Sequence, residues 1–257
     1  MKILITGHRG FIGQNLTHAL KEHDLSFFEW NDATPDINGL DWVIHLGAIS
    51  STTERDIDRI LRQNTEFSTW LLAECVKNRV NLQYSSSASV YGPSRTFKES
   101  DPVNPQSAYA WSKYLFDRHV AQTDTANITV QGFRYFNVHG ACEDHKGSQA
   151  SPHHQFAEQA KTTGRIRLFE NSENYLRDFV PVETVTAVHE RFLTVTESGI
   201  WNVGTGIAQS FESVARSIAT KYNAAIEYVP MPAQLKSQYQ SYTCADLTLL
   251  RKYYAPI

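Results

Sequence analysis

Lys2-Ile3-Leu4-Ile5-Thr6-Gly7-His8-Arg9-Gly10-Phe11-Ile12-Gly13 is the stretch that decides the fold. Ile3–Thr6 reads as a short buried strand. Phe11, Ile12, Asn15, Leu16, Ala19 and Leu20 then follow a helical period. The glycines between them do separate jobs. Gly7 permits the tight turn, Gly10 lets the backbone approach a pyrophosphate, and Gly13 lets the helix pack closely on the strand. The helix amino terminus then offers free N–H groups to an anion. The spacing differs from the plainest dinucleotide fingerprint, so three glycines alone would be a weak signal. Their place between a strand and a helix points to a dinucleotide, and the expected cofactor is NADP or NAD.

Outward from this turn, Leu25–Phe28 and Trp42–Leu46 read as the next strands. Phe67, Trp70, Leu71 and Cys75 mark a helix face. Val80–Ser85 is a strand running into a serine cluster that includes Ser87. A helix carries Tyr109 and Lys113 on through Phe116 and Val120, and Ile128–Phe133 is a further strand. This alternation predicts an α/β fold, a Rossmann-type doubly wound parallel sheet with right-handed crossovers. After residue 134 the pattern loosens. Ser210 is placed to cap a helix whose Val214, Ala215, Ile218 and Ala219 face inward. Residues 1–134 are therefore expected to form an NAD(P)-binding domain to which some later segments return. Residues 135–257 are expected to form a smaller C-terminal substrate-binding lobe.

Composition narrows the class. The 257 residues are 41% hydrophobic and 20% charged with a net charge of −3, as in an ordinary folded protein rather than a disordered one. That charge gives no reason to expect nucleic acid or an anionic membrane as partner. No apolar run approaches the length of a membrane span, and the one at the amino terminus is too short for a leader. Cys75, Cys142 and Cys244 are few and far apart, which suggests neither a disulfide framework nor a metal site, and fits the cytoplasm.

The phosphate state of the cofactor turns on the end of the second strand. An acid there binds a ribose 2′-hydroxyl, whereas a nearby arginine accommodates a 2′-phosphate. Glu29 and Asp32 are candidates for the first role and Arg9 for the second. Asn31, in the same loop, is a further cofactor candidate.

Tyr109-Ala-Trp-Ser-Lys113 supplies the chemistry. Positions i and i+4 share a helix face, so the lysine can sit beside the tyrosine. A phenol with a reference pKa of about 10 needs a shift of roughly 3 units to act near neutrality, which a neighbouring cation in a partly dry site supplies. Such a pair takes a proton from an alcohol while a cofactor takes the hydride.

With the glycine turn, Ser87 and the tyrosine–lysine pair, the chain resembles the extended short-chain dehydrogenase/reductase family. Within it, further strings are similar to the ADP-L-glycero-D-manno-heptose 6-epimerases. These are Gly47-Ala-Ile-Ser-Ser-Thr-Thr-Glu54, Gly132-Phe-Arg-Tyr-Phe-Asn-Val-His-Gly140, His145-Lys-Gly-Ser-Gln-Ala-Ser151, Leu168-Phe-Glu-Asn-Ser-Glu-Asn174, Arg177-Asp-Phe-Val180 and Tyr239-Gln-Ser-Tyr-Thr-Cys-Ala-Asp246. The resemblance implies a sugar-nucleotide epimerase in which the cofactor removes hydride and returns it to the opposite face. Tyr109 and Lys146 would then be the two acid/base residues, Ser87 would bond the substrate oxygen, and Lys113 would bind the nicotinamide ribose.

It further implies that Phe11 and Ile12 lie at the pyrophosphate, with Leu46, Gly47, Ala48 and Asn64 along the cofactor and Val138 at the nicotinamide. Asn137 and Ser148 would face the substrate. Phe169, Glu170, Asn171, Ser172, Arg177 and Tyr239 would hold the nucleotide diphosphate, Arg177 because its planar donors match a phosphate. A homo-oligomer pairing through the helices of Trp70 and Tyr109 is the implied assembly. The chain departs from the family between Asp36 and Trp42, where no room is left for a helix. Two other readings stay open: a net reductase of a keto-sugar nucleotide, since Gly7-His-Arg-Gly10 is similar to the turn of such reductases, and a dinucleotide-sensing protein without catalysis.

Overall fold

The computed structural model describes residues 1–51, 54–232 and 240–255. In chain order the first half contains β1 (Lys2–Thr6), α1 (Phe11–Ala19), β2 (Asp24–Phe28), β3 (Trp42–His45), α2 (Ile57–Ile60), α3 (Phe67–Asn78), β4 (Asn81–Ser87), α4 (Ala108–Gln122) and β5 (Val130–Tyr135). The second half contains β6 (Asn137–His139), α5 (Pro152–Thr163), β7 (Arg165–Phe169), β8 (Leu176–Pro181), α6 (Val182–Phe192), β9 (Gly199–Val203), β10 (Ala208–Ser210), α7 (Phe211–Tyr222) and β11 (Ala225–Val229).

Six strands form one parallel sheet in the order β2-β1-β3-β4-β5-β9. Its inner strands are buried along their length, as β3 and β5 show at every residue. A parallel strand covered on both faces need not alternate polar and apolar residues: β3 is apolar through Ile44, and the buried Gln131 and Arg134 of β5 are bonded to Gln83 and Asp117. The doubly wound α/β expectation holds. The alternation fails at one point, because no helix separates β2 from β3. β2 is accordingly an edge strand with three of its five residues exposed, Phe27 among them.

Two boundaries shift for local reasons. The fifth strand begins at Val130 because the Ile128 N–H closes a turn onto the Thr125 carbonyl. β4 runs on to Ser87 because it stays paired with β5 through Tyr135.

The later segments build a second layer and also return to the first. β9 pairs with β5, and Phe133, Phe192 and Trp201 meet edge to face beneath it. β8 pairs in parallel with β6 and antiparallel with β10, while β7 pairs with β11. α5 and α7 enclose Phe156, Ile166, Leu168, Phe179, Val214 and Ala215. Ser210 caps α7 as expected, its hydroxyl accepting from the Ser213 N–H at 3.0 Å. Asp178, fully buried on β8, ties three segments together by accepting from the Thr205 N–H and hydroxyl and the Gly206 and Ala245 N–H groups.

Candidate active site

The glycine turn is built by close approach. Gly7 has φ +73° and donates its N–H to Phe28 across the sheet. A Cβ on Gly7 would stand 2.6 Å from the Gly47 Cα, and one on Gly13 only 2.1 Å from the Gly7 carbonyl oxygen. Three strand ends thus converge where only glycine fits. Gly10 caps α1 without a side-chain bond, so the first-turn N–H groups have no side-chain acceptor at their cap. These features suit an extended dinucleotide pyrophosphate.

A cavity of about 540 Å³ opens over this turn. Gly7, Gly10, Phe11, Ile12 and Gly13 line one side, and Leu46, Gly47 and Ala48 another. Tyr109, Lys113 and Lys146 complete it from α4 and from the 3₁₀ turn Asp144–Gln149. The structure therefore brings together residues that lie far apart in sequence. Four other cofactor candidates sit elsewhere, Val138 among them on β6. Asn64 lies within a π-helical turn, Leu61–Glu66, and its amide is engaged by both backbone groups of Ile49 and by the Ser112 hydroxyl. It braces the Gly47 loop from behind. Asn31 opens onto a neighbouring cavity with Trp30, Arg59, Arg62 and Gln63. Arg9 is exposed on the outside of the turn.

Glu29 and Asp32 separate cleanly. Glu29 lines the cavity while accepting from the Arg9 N–H at 2.8 Å and facing His8 Nδ1 at 3.2 Å. Asp32 is exposed and uses its carboxylate to accept from the Glu29 N–H at 2.7 Å. Glu29 is therefore the acid that lines the cavity, and Asp32 a turn-former.

Tyr109 and Lys113 share one face of α4, with the ammonium 5.9 Å from the phenol ring centroid. The ammonium donates instead to the Ser85 carbonyl at 2.9 Å and hydroxyl at 3.2 Å. Burial pushes the Tyr109 phenol up, and the Ser87 hydroxyl offsets part of that. Burial brings Lys113 down to about 8, against the pull of Asp117. The expected depression of the phenol by Lys113 is thus not what this geometry produces, because the lysine points at β4.

Lys146 stands with its ammonium 5.0 Å from the Phe11 ring centroid. Burial lowers its pKa, with Glu143 opposing. A lysine so placed gives up its proton more readily than one in water. The loop around it is pinned by Glu143, which is almost fully buried and accepts from the Gly140 N–H and from Ser151.

Ser87 ends β4 and does not line the cavity, whereas the other described substrate candidates lie on the second layer. Asn137, with the nicotinamide candidate Val138 beside it, is on β6, paired with Phe179 and Val180 of β8, and Ser148 is exposed in the Lys146 turn. Phe169, Glu170 and Asn171 follow one another out of β7, and Ser172 is buried at the start of the next 3₁₀ turn. Arg177 on β8 is buried, with its guanidinium 5.5 Å from the Phe211 ring centroid. None of these residues lines the cavity over the glycine turn. Tyr239 lies outside the described residues. Sequence reading missed Tyr135, His145 and Gln149, which line the cavity beside Lys146. The last two lie in the quoted His145–Ser151 string, whose helical phase was not legible.

The family model for the NAD dependent epimerase/dehydratase family matches residues 3–204. The chain belongs to that family. Among solved structures, the ADP-L-glycero-D-manno-heptose-6-epimerase of Helicobacter pylori is similar at 25% identity and a TM-score of 0.80, over 95% of this chain and 92% of that one. The UDP-N-acetylglucosamine 4-epimerase of Methanobrevibacter ruminantium matches the fold at 20% identity and a TM-score of 0.90, over 100% and 93%. The UDP-glucose 4-epimerase of Thermus thermophilus, solved with NAD, does so at 23% identity and 0.81, over 98% and 91%. The expectation of a nicotinamide cofactor agrees with the family.

Proposed function

We propose that this chain is a nucleotide-sugar epimerase acting through transient oxidation and re-reduction, with an ADP-heptose or a close analogue as substrate. The observation that carries this reading is that Tyr109 and Lys146 reach one cavity from unrelated elements, α4 and the 3₁₀ turn beyond β6. Two proton-transferring groups on separate supports are what inversion at a carbinol carbon requires. A nicotinamide held over the glycine turn would supply reversible hydride transfer at the sugar carbon. Tyr109 takes the hydroxyl proton on one side, with Ser87 holding the oxygen. Lys146 gives a proton to the carbonyl oxygen after the sugar has turned. Lys113 holds the nicotinamide ribose. Gly10 and the first turn of α1 bind the pyrophosphate, and Glu29 meets the adenosine ribose.

Residues 1–134 with β9 would form the cofactor-binding part, and most of 135–257 the substrate lobe, where Arg177 and Phe169–Ser172 would hold the nucleotide diphosphate. The heptose assignment draws on the Helicobacter pylori enzyme, which is named for that substrate. A second reading, a keto-sugar-nucleotide reductase, is supported by Gly7-His-Arg-Gly10, which is similar to the turn of such reductases.

Mass spectrometry of copurifying cofactor and sugar nucleotide, followed by assay with either C6 epimer of ADP-heptose, tests the choice. The epimerase reading predicts both epimers at equilibrium with no net change in reduced cofactor. Stoichiometric loss of NADPH with a keto-sugar nucleotide would establish the reductase.

A further inference from the structure

α4 carries three functional groups on one face, at i, i+4 and i+8: Tyr109, Lys113 and Asp117. The first two line the cavity. Asp117 is buried beneath them and has no place in the reaction described above. Its Oδ2 accepts from Ser86 Oγ at 3.0 Å and from Arg134 Nε and Nη2 at 3.2 and 3.1 Å. Arg134 is itself fixed from β5, donating to the Tyr91 hydroxyl at 3.1 Å and the Glu99 carbonyl at 3.3 Å. Ser85 and Ser86 are successive residues of β4, so Lys113 and Asp117 clasp the same strand end one residue apart. None of the described ion pairs involves Lys113.

We propose that Asp117 is the positioning residue that keeps Lys113 charged and seated against β4, so that the ammonium stays available beside Tyr109. This rests on the epimerase reading for its purpose, though not for its test. A buried ammonium without a counter-charge sheds its proton. The Arg134 guanidinium and the Ser86 hydroxyl engage one carboxylate oxygen, and the neutral Tyr84 hydroxyl also bonds the carboxylate. Asp117 therefore keeps negative field within one helical turn of Lys113, and Arg134 acts from a strand farther away. The other titratable groups packed around this region are neutral or distant: His45 on β3, Tyr84 on β4, Tyr91 after it, Tyr135 on β5 and Glu99, whose carboxylate accepts from the Asn202 N–H. Burial already brings Lys113 down to about 8, so loss of Asp117 would shift it further toward the neutral form near pH 7.

The test needs no substrate. Nζ-labelled ¹⁵N-lysine NMR follows the Lys113 midpoint, assigned by its absence from Lys113→Arg. Asp117→Asn should lower that midpoint by about one pH unit, a tenfold change in acid dissociation, while Asp117→Glu leaves it in place. A merely structural role loosens the site and moves the midpoint up, toward the value in water. If Asp117→Asn does not fold, Asp117→Asn/Arg134→Gln removes both charges and should still lower it. An unchanged or raised midpoint in the folded variant overturns the proposal. Failure of epimerase activity in the wild-type protein would overturn the functional reading alone.

Discussion

Glu143 grips Ser151 twice, accepting from its N–H at 2.5 Å and from its hydroxyl at 2.7 Å. Its Oε1 also accepts from the Gly140 N–H at 3.0 Å, so one buried carboxylate closes both ends of the loop that carries Lys146. The Lys146 N–H completes the turn onto the Glu143 carbonyl. Hydrogen bonds to a buried charge contribute about 1.5–3 kcal/mol each, and displacement of a reacting group by an ångström costs on the order of 100-fold in rate. Glu143→Gln should therefore lower turnover on that order while dinucleotide affinity holds. Calorimetry for the cofactor and steady-state kinetics for turnover make the comparison; an equal loss in both would show that the loop serves the cofactor instead.

Gly13 faces the Gly7 carbonyl at a distance no Cβ tolerates. Gly13→Ala must push α1 off β1 and tilt the N–H groups that meet the pyrophosphate. The expected result is a loss of dinucleotide affinity of at least about tenfold, roughly 1.4 kcal/mol, measured by calorimetry. Gly39, with nothing within 4 Å of a Cβ but φ +74°, is the control: its alanine variant should cost stability without affecting cofactor.

His45 and His189 are buried and neutral. His45 lies between the Thr6 and Ser68 hydroxyls, and His189 between the Tyr135 hydroxyl and Gln83 Oε1. Burial pushes each from the ordinary 6.5 down to about 3. With the folded value depressed, the unfolded chain takes up the proton first. Stability from these residues is complete above pH 6.5 and is lost as pH falls toward 3, at about 1.4 kcal/mol per unit per histidine as an upper bound. Urea midpoints measured between pH 7 and pH 4 should fall, and His189→Gln should flatten that fall. Parallel slopes in the two proteins would contradict the burial argument.

Ile57 and Leu61 on one helix and Trp111 and Leu115 on the adjoining α4 remain exposed, each at one helical turn's spacing. Apolar side chains grouped this way suit a two-fold interface. Light scattering should give a dimer or a higher homo-oligomer that Trp111→Glu converts to monomer. A wild-type monomer at assay concentration would remove this expectation.

The parts legible in sequence were those set by local chemistry. The glycine turn, the Tyr109–Lys113 spacing and the Ser210 cap each need only a few neighbouring residues. Tertiary contacts decided the rest. Lys113 turns to Ser85 because β4 ends beside α4. The π-turn rotates Asn64 inward to Ile49 and Ser112, which no periodicity announces. Arg134, read as part of a family string, proves to be the partner of Asp117, because β5 and α4 meet only in the fold. The lack of a helix between β2 and β3 was visible as a short segment, but the exposed edge it leaves was not.

The proposed pairing of Tyr109 and Lys146 makes them two acid/base groups on one sugar carbon. It is tested most directly by NMR observation of C6 inversion in ADP-heptose by Lys146→Ala, with the cofactor shown to be bound. Inversion should be slowed by at least about 100-fold, the scale of a lost general acid or base, with the variant folded and loaded. Inversion at the wild-type rate would contradict that pairing.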